Sequence, residues 1–141
     1  MITPTPSFDL PAGRAWDEAA LGWSRHREVI RQWLLDATRA MLDAAQIHPG
    51  DRILGVAAGA GDQTLDVARR AGPAGSVLAT DLSLRILELA ADNLRAAGLP
   101  QAQTRQADAE ALGLASADFD AAVCRLGLML CPAPSKVLRG M

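Results

Sequence analysis

The chain has 141 residues, of which half are hydrophobic and 21% are charged, so we expect one folded domain. A formal net charge of −2, with no run of Lys or Arg, excludes the electrostatic footprint of a nucleic-acid or anionic-membrane partner. The longest uncharged apolar run, Leu126 to Ala133, is too short to span a bilayer, and the N-terminus lacks the features of a signal peptide. We therefore expect a cytoplasmic protein.

The first half of the chain contains a helix, a strand and a second helix. After a proline-rich start at Thr3 to Ser7, apolar residues recur at intervals of three and four from Val29 to Ala45 and predict an amphipathic helix. A short apolar strand is predicted from Ile53 to Ala57. A glycine-rich turn follows it and leads into a helix from about Asp62 to Ala71, with Gly72 as its C-cap residue.

The same alternation continues in the second half. Ser83 is the predicted N-cap of a helix that is closed by Gly98 and Pro100. The predicted elements are a strand at Ser76–Thr80, a helix at Leu84–Ala97, strands at Ala102–Ala107 and Phe119–Cys124, and a helix beginning near Ser135. Strands that alternate with helices predict an α/β fold with a Rossmann-like, doubly wound, mostly parallel sheet.

The two cysteines give no sign of metal or redox chemistry. Cys124 and Cys131 are seven residues apart on an apolar segment, which is the spacing of neither a metal site nor a CxxC pair. We interpret them as buried, reduced thiols and expect no metal site.

The stretch RILGVAAGAGD, residues 52–62, joins the first strand to the next helix almost without side chains. Such a turn indicates positive φ angles or a ligand so close that a Cβ would collide with it. The dinucleotide fingerprint G-x-G-x-x-G lies at the same point of a fold, but Thr64 stands in the place of its third glycine. This weakens the prediction of NAD, and a tight turn without a ligand remains an alternative.

Carboxylates follow the second and third strands. Asp81 comes some twenty residues after the turn, where a carboxylate can accept hydrogen bonds from both hydroxyls of a ribose. Its alternative role as a helix N-cap is already filled by Ser83. Asp108 follows the third strand and is expected at the same carboxyl edge of the sheet, although a lone acid there is more often a solvated loop residue.

Four motifs in order, ILGVAAGAGD, VLATDLS, RQADAEAL and FDAAVCRLGLML, resemble the class I S-adenosylmethionine-dependent methyltransferases, in particular the ubiquinone/menaquinone-biosynthesis-like branch. The resemblance covers roughly residues 30 to 141. It implies S-adenosyl-L-methionine as cofactor, with its methionine part over the turn, its ribose on Asp81, its adenine against Leu82 and its adenine amino group at Asp108 and Ala109. The turn residues implied in cofactor binding are Ala57, Ala58, Gly59 and Gly61.

The resemblance also divides the chain into two parts. Residues 1–28 are expected to form a loop and a helical cover, and residues 29–141 part of a methyltransferase domain. Trp16, Trp23 and His26 fall in the cover, which often closes over the cofactor in the family. Taken alone, each Trp is interpreted as a packing anchor and His26 as a solvated helix residue.

The chain departs from the family's pattern in two respects. Gly55 stands where the family commonly has an acid that helps to hold the cofactor's ammonium group. The family's sheet has seven strands, whereas the sequence supports about four, so we expect a truncated sheet, no identifiable catalytic residue and self-association through the exposed edge of the fourth strand.

The sequence thus predicts methyl transfer from S-adenosylmethionine to an unknown small-molecule acceptor, with no activity in this fragment alone. One alternative is a nonenzymatic nucleotide-binding or interaction module. An NAD-dependent oxidoreductase half is a further alternative, which Thr64 disfavours.

Overall fold

The fold is taken from a computed structural model, which describes residues 11–141 without the side chain of Ser116. The predicted proline-rich segment, Thr3 to Ser7, lies outside the described residues. The helices are α1 (Pro11–Arg25), α2 (Arg27–Trp33), α3 (Leu35–Ala44), α4 (Asp62–Ala71), α5 (Leu84–Ala96) and α6 (Pro134–Gly140). The strands are β1 (Arg52–Gly55), β2 (Ser76–Asp81), β3 (Ala102–Gln106) and β4 (Ala121–Val123).

The strands form one parallel sheet in the order β3-β2-β1-β4. The chain moves outward from β1 to β3 and then returns to pair β4 with the other side of β1. This reversal of strand order next to β1 is where open α/β sheets bind ligands, beyond the carboxyl ends of their strands. The predicted Rossmann-like doubly wound fold is confirmed.

Both faces of the sheet are covered, because successive residues of a strand point to opposite faces. Ile53 packs on one side with Leu42 of α3, Val67 of α4 and Val77 of β2. Leu54 packs on the other side in a cluster with the buried residues Val56, Ala107, Leu112 and Val137. Because side chains on both faces of β1 are buried, the strand has one position in the fold. The turn that follows it is placed accordingly.

The boundaries of α4 and the start of α5 follow the sequence signals. Gly61 and Gly72, at the two ends of α4, have φ angles of +90° and +68°, which glycine adopts without steric cost. Ser83 caps α5, because its side chain accepts a hydrogen bond from the backbone N–H of Ile86 at 3.1 Å. The predicted roles of Gly72 and Ser83 are confirmed.

The predicted single helix from Val29 to Ala45 is wrong, because the structure has two helices that meet at Leu34. The carbonyl of Leu34 accepts hydrogen bonds from both the backbone N–H and the Oγ1 of Thr38, at 2.8 and 3.0 Å. Such back-bonding from a threonine bends helices. The bend leaves Leu34 with φ −97° and ψ 10°.

The first and fourth strands are shorter than predicted. β1 ends at Gly55 because Ala57 turns the chain with φ +52°. β4 is limited to Ala121–Val123, and the chain turns again at Leu126, where φ is +60°. The expected long apolar edge is therefore three residues long in the described sheet.

Within residues 11–141, no helix combines the length and apolarity needed to cross a membrane. The same residues contain no group of three or more His, Cys, Asp or Glu side chains that could hold a metal ion.

Candidate functional site

A cavity of about 250 Å³ opens at the carboxyl edge of the sheet. It is lined by the turn after β1, the ends of β2 and β3, the loop after β4, and α1. Seven of the eight residues that the sequence singled out for cofactor binding line it: Ala57, Ala58, Gly59, Asp81, Leu82, Asp108 and Ala109.

Gly61 is the exception, since it lies against α5. A Cβ at Gly61 would come within 3.4 Å of both Cα and Cβ of Ala90. Its φ of +90° and this close approach explain why glycine is required there. The residue shapes the turn and does not line the cavity.

Hydrogen bonds to residues of β2 hold the turn. Ala57 and Gly59 have φ angles of +52° and +63°, a conformation that is uncommon for an alanine. The backbone N–H of Ala58 donates to the carbonyl of Thr80 at 3.0 Å, and that of Gly59 donates to the carboxylate of Asp81 at 3.0 Å. The bare backbone of the turn therefore faces the cavity in one fixed conformation.

Asp81 combines burial with spare hydrogen-bonding capacity. One carboxylate oxygen accepts from Gly59 N–H, and the other accepts from Ser83 N–H at 3.1 Å. Each oxygen has two lone pairs, so the carboxylate keeps acceptor capacity for a donor in the cavity. Burial raises the pKa of Asp81, although the backbone N–H groups oppose that shift.

Leu82 and Asp108 are placed by local hydrogen bonds. The carbonyl of Leu82 accepts from the side-chain amide of Gln106 at 3.0 Å, which ties the end of β2 to the end of β3. Asp108 caps a short 3₁₀ turn, Ala109–Ala111, by accepting from the backbone N–H of Glu110 at 2.9 Å. Asp108 therefore has a local structural role besides facing the cavity.

The sequence interpretation missed a polar group at the start of α4. The carboxylate of Asp62 pairs with the guanidinium of Arg125, and their side chains are only 8% and 10% exposed. Arg125 also donates to Thr38 Oγ1 at 2.9 Å. Asp62, Gln63 and Arg125 all line the cavity.

Gln63 is 2% exposed, and its side-chain Nε2 donates to the carbonyl of Ala57 at 3.4 Å. Its Oε1 is buried and has no hydrogen-bond partner among the described residues. A buried polar atom without a protein partner is rare in folded proteins, so Oε1 is an acceptor available to a donor in the cavity. The only signal in the sequence is that three consecutive polar residues, Asp62, Gln63 and Thr64, follow the glycine turn directly, and the fold buries all three.

The loop after β4 packs directly on the glycine turn. A Cβ at Gly127 would lie 2.5 Å from the Cβ of Ala57 and 2.8 Å from the Sγ of Cys124. Cys124 and Cys131 are free thiols, partly buried rather than fully buried as we expected. Burial raises the pKa of both thiols.

Helix α1 covers the cavity with two tryptophans. Trp16 and Trp23 line it, and their ring centroids are 5.8 Å apart. The helix is fixed by Asp17, whose carboxylate accepts from the Ser83 hydroxyl and from the backbone N–H of Arg85. His26 is exposed and does not line the cavity, as the solvated-residue interpretation predicted.

A doubly wound parallel sheet, a bare turn after β1 and a carboxylate after β2 are features that nucleotide-binding α/β folds share. Comparison with known proteins gives the family. A family model described as a methyltransferase domain matches residues 53–141. The chain belongs to this family, and its recognition as a class I S-adenosylmethionine-dependent methyltransferase is confirmed.

Individual relatives agree with this assignment. An uncharacterized protein of Mycobacterium tuberculosis is 34% identical over 132 residues, which are 94% of this chain and 46% of that protein. The ubiquinone/menaquinone biosynthesis C-methyltransferase of Pasteurella multocida is 32% identical over 104 residues, which are 73% of this chain and 39% of that enzyme. The chain thus spans less than half the length of these relatives.

Solved structures agree on the fold. A putative S-adenosylmethionine-dependent methyltransferase of Methanococcus maripaludis superposes with a TM-score of 0.75 at 17% identity. The superposition covers 99% of this chain and 60% of that one. The structure of the [4+2]-cyclase SpnF superposes with a TM-score of 0.67 at 28% identity, over 74% of this chain and 38% of that one.

Proposed function

We propose that the protein binds S-adenosyl-L-methionine in the cavity and serves methyl transfer to a small-molecule acceptor. The observation that carries the proposal is the convergence of the turn, Asp81, Leu82, Asp108 and Ala109 on one cavity in a methyltransferase-family fold. These residues come from three separate strand ends, and no local requirement of the chain would bring them together.

The residues fit the parts of this cofactor. The turn offers bare backbone to the methionine part, and the first turn of α4 offers N–H groups that favour a carboxylate. The Asp81 carboxylate keeps acceptor capacity for the ribose hydroxyls beside its bonds to backbone N–H groups. Leu82 and Ala109 supply apolar contact for the adenine ring, and Asp108 lies beside them at the end of β3.

When bound, the cofactor supplies an activated methyl group on a sulfonium, which is transferred by in-line displacement. The chain's own part in such a reaction is to fix the donor, because correct positioning of the reactants can lower the activation barrier by about 7 kcal/mol or more. Trp16 and Trp23 line the cavity on its α1 side and shield part of it from solvent. We assign no catalytic base among the described residues.

Family membership favours methyl transfer over both alternatives, a nonenzymatic nucleotide-binding or interaction module and an NAD-dependent oxidoreductase half. Thr64 is 2% exposed, so a side chain is buried at the position where the dinucleotide fingerprint has its third glycine. This observation further disfavours NAD.

We further propose that residues 1–141 alone bind the cofactor without turnover and that they self-associate. Support for self-association comes from β4, which pairs with β1 on one side in the described sheet. The loop beside it exposes Leu126, Met129 and Leu130 by 53 to 73%. Light scattering should show that the particle mass grows with protein concentration, and Met129→Lys should reduce this growth.

The cytoplasmic location stays a prediction.

A side-by-side calorimetric titration with S-adenosylmethionine and NADH tests the proposed function. Saturation of one site by S-adenosylmethionine, with no heat of binding from NADH, is the expected outcome. Tighter binding of NADH, or no binding of S-adenosylmethionine, would overturn the proposal.

A further inference from the structure

The inference concerns the end of the cavity nearest α4 and rests on the proposed function. Gly55, the last residue of β1, is buried and contributes no side-chain acceptor. Its carbonyl already accepts from Thr80 Oγ1 at 2.9 Å. If the cofactor's methionine end lies on the turn, its ammonium group must therefore find acceptors elsewhere.

Gln63 carries an acceptor without a partner. Its Nε2 donates to the Ala57 carbonyl, and this fixes the orientation of the amide. The reverse orientation would place two carbonyl oxygens against each other, which neither can satisfy. Oε1 is therefore left as a buried acceptor without a partner among the described residues, and it needs a donor to offset its desolvation.

Asp62 lies next to Gln63 and carries a second acceptor. Its Oδ2 is paired with Arg125, while its Oδ1 lies 3.9 Å from the point that a Cβ on Gly59 would occupy. The carboxylate is therefore beside the turn. Arg125 is held in turn by Thr38 from α3, so it acts as a positioning residue for Asp62.

We propose that Gln63 Oε1 and Asp62 Oδ1 accept hydrogen bonds from the ammonium group of the cofactor's methionine end, in place of an acid at position 55. An ammonium has three N–H donors and no acceptor, so it complements two oxygens that lack a full set of donors. The ion pair of Asp62 with Arg125 has no net charge. Recognition of the ammonium therefore depends on where the acceptor atoms lie and not on a net negative charge. Gln63 is the residue that decides this recognition, because its Oε1 has no other donor among the residues that the structure describes.

The test uses two probes that differ only in the ammonium group: S-adenosylhomocysteine and its analogue lacking the α-amino group. Gln63→Met keeps the length of the side chain and removes the acceptor. We expect it to weaken binding of S-adenosylhomocysteine about ten- to one-hundred-fold and to leave binding of the deaminated analogue unchanged. Gln101→Met is the matched control, because the side-chain amide of Gln101 likewise donates to a backbone carbonyl, that of Ala68 in α4, outside the cavity.

A loss that is equal for both probes, or no loss for either, would overturn the inference. Gln63→Glu is a second variant that puts a carboxylate at the same length. Loss of the amide donor to Ala57 affects both probes alike, so we expect the preference for S-adenosylhomocysteine over the deaminated analogue to be at least as large as in the wild type. Selective weakening by Gln63→Glu would also contradict the inference. If the wild type binds neither probe, the proposed function and the inference about Gln63 both fail. If the wild type binds both probes, the variants test only the inference.

Discussion

The carboxylate of Asp81 accepts a hydrogen bond from the backbone N–H of Gly59 at 3.0 Å, so the end of β2 holds the turn after β1. The glycine-rich turn and Asp81, which the sequence analysis treated as two separate features, are thus one hydrogen-bonded unit. A change at Asp81 alters the shape of the turn as well as the acceptors that face the cavity. Binding and local stability must therefore be measured together at this site.

Asp81→Ala should weaken binding of S-adenosylmethionine by about 1.5 to 3 kcal/mol, because hydrogen bonds to a charged group are lost. Calorimetric titration measures the effect, and circular dichroism verifies the fold. Asp92→Ala is the control, since Asp92 is an exposed carboxylate that pairs only locally with Arg95. Unchanged affinity in a folded Asp81→Ala variant would defeat the assignment of the ribose position.

The pKa of Asp81 predicts a pH dependence with a definite sign. Burial raises this pKa in the folded protein, so the folded state binds the proton more tightly than the unfolded state. The stability that Asp81 contributes is full below its ordinary unfolded pKa of about 3.9 and is lost as the pH rises through the raised folded pKa.

Urea unfolding of the wild type and of Asp81→Asn at several pH values measures this dependence. The free energy of unfolding of the wild type, relative to that of Asp81→Asn, should fall as the pH rises from about 4 toward neutrality. A difference that is flat, or that moves in favour of the wild type, would contradict the raised pKa. Cofactor affinity should change in the opposite sense and rise with pH, because ribose hydroxyls donate to the ionised carboxylate.

Gly127→Ala should destabilise the protein by about 1 to 3 kcal/mol, since its Cβ would overlap Ala57 and Cys124. The collision falls on the turn, so cofactor affinity should drop as well. Thermal unfolding with and without S-adenosylmethionine measures both effects. The control is Gly22→Ala in α1, where a Cβ meets nothing within 4 Å and a small gain in stability is expected. Equal stability of the two variants would show that the loop does not pack on the turn.

Gly55→Asp should tighten binding of S-adenosylmethionine by about 1 to 2 kcal/mol, because it adds an acceptor for the ammonium group. The site admits the first atom, since a Cβ there has its nearest contact at 3.7 Å. The gain should be larger in the Gln63→Met background, and binding of NADH should not improve. Gly55→Ala separates the effect of the carboxylate from that of packing, and equal affinity of the Ala and Asp variants would contradict the prediction.

The sequence predicted those parts of the fold that depend on local chemistry. Gly61 and Gly72 bound α4 through positive φ angles, and Ser83 starts α5 through its side chain, so these positions could be predicted from the residues themselves. The cavity-lining carboxylate Asp81 was also predictable, because parallel strands bring their carboxyl ends to one edge.

What the sequence could not predict depends on contacts between distant segments. Arg125 donates hydrogen bonds to Thr38 and Asp62, which lie 87 and 63 residues away in the sequence, and the spacing of these residues does not predict the contact. The bend at Leu34 likewise results from a threonine side chain that a periodic apolar pattern does not register. The length of β4 was overestimated at both ends: Phe119 ends a 3₁₀ turn before the strand, and Cys124 belongs to the loop that packs on the turn after β1.

The most direct measurement of the central claim is a crystal structure of the protein with S-adenosylhomocysteine. The account predicts the ribose hydroxyls within hydrogen-bond distance of the Asp81 carboxylate, the adenine ring against Leu82 and Ala109, and the amino-acid part over the turn from Ala57 to Gly61. A ligand bound outside this cavity, or one that lies in it with its adenine over the turn, would contradict the account.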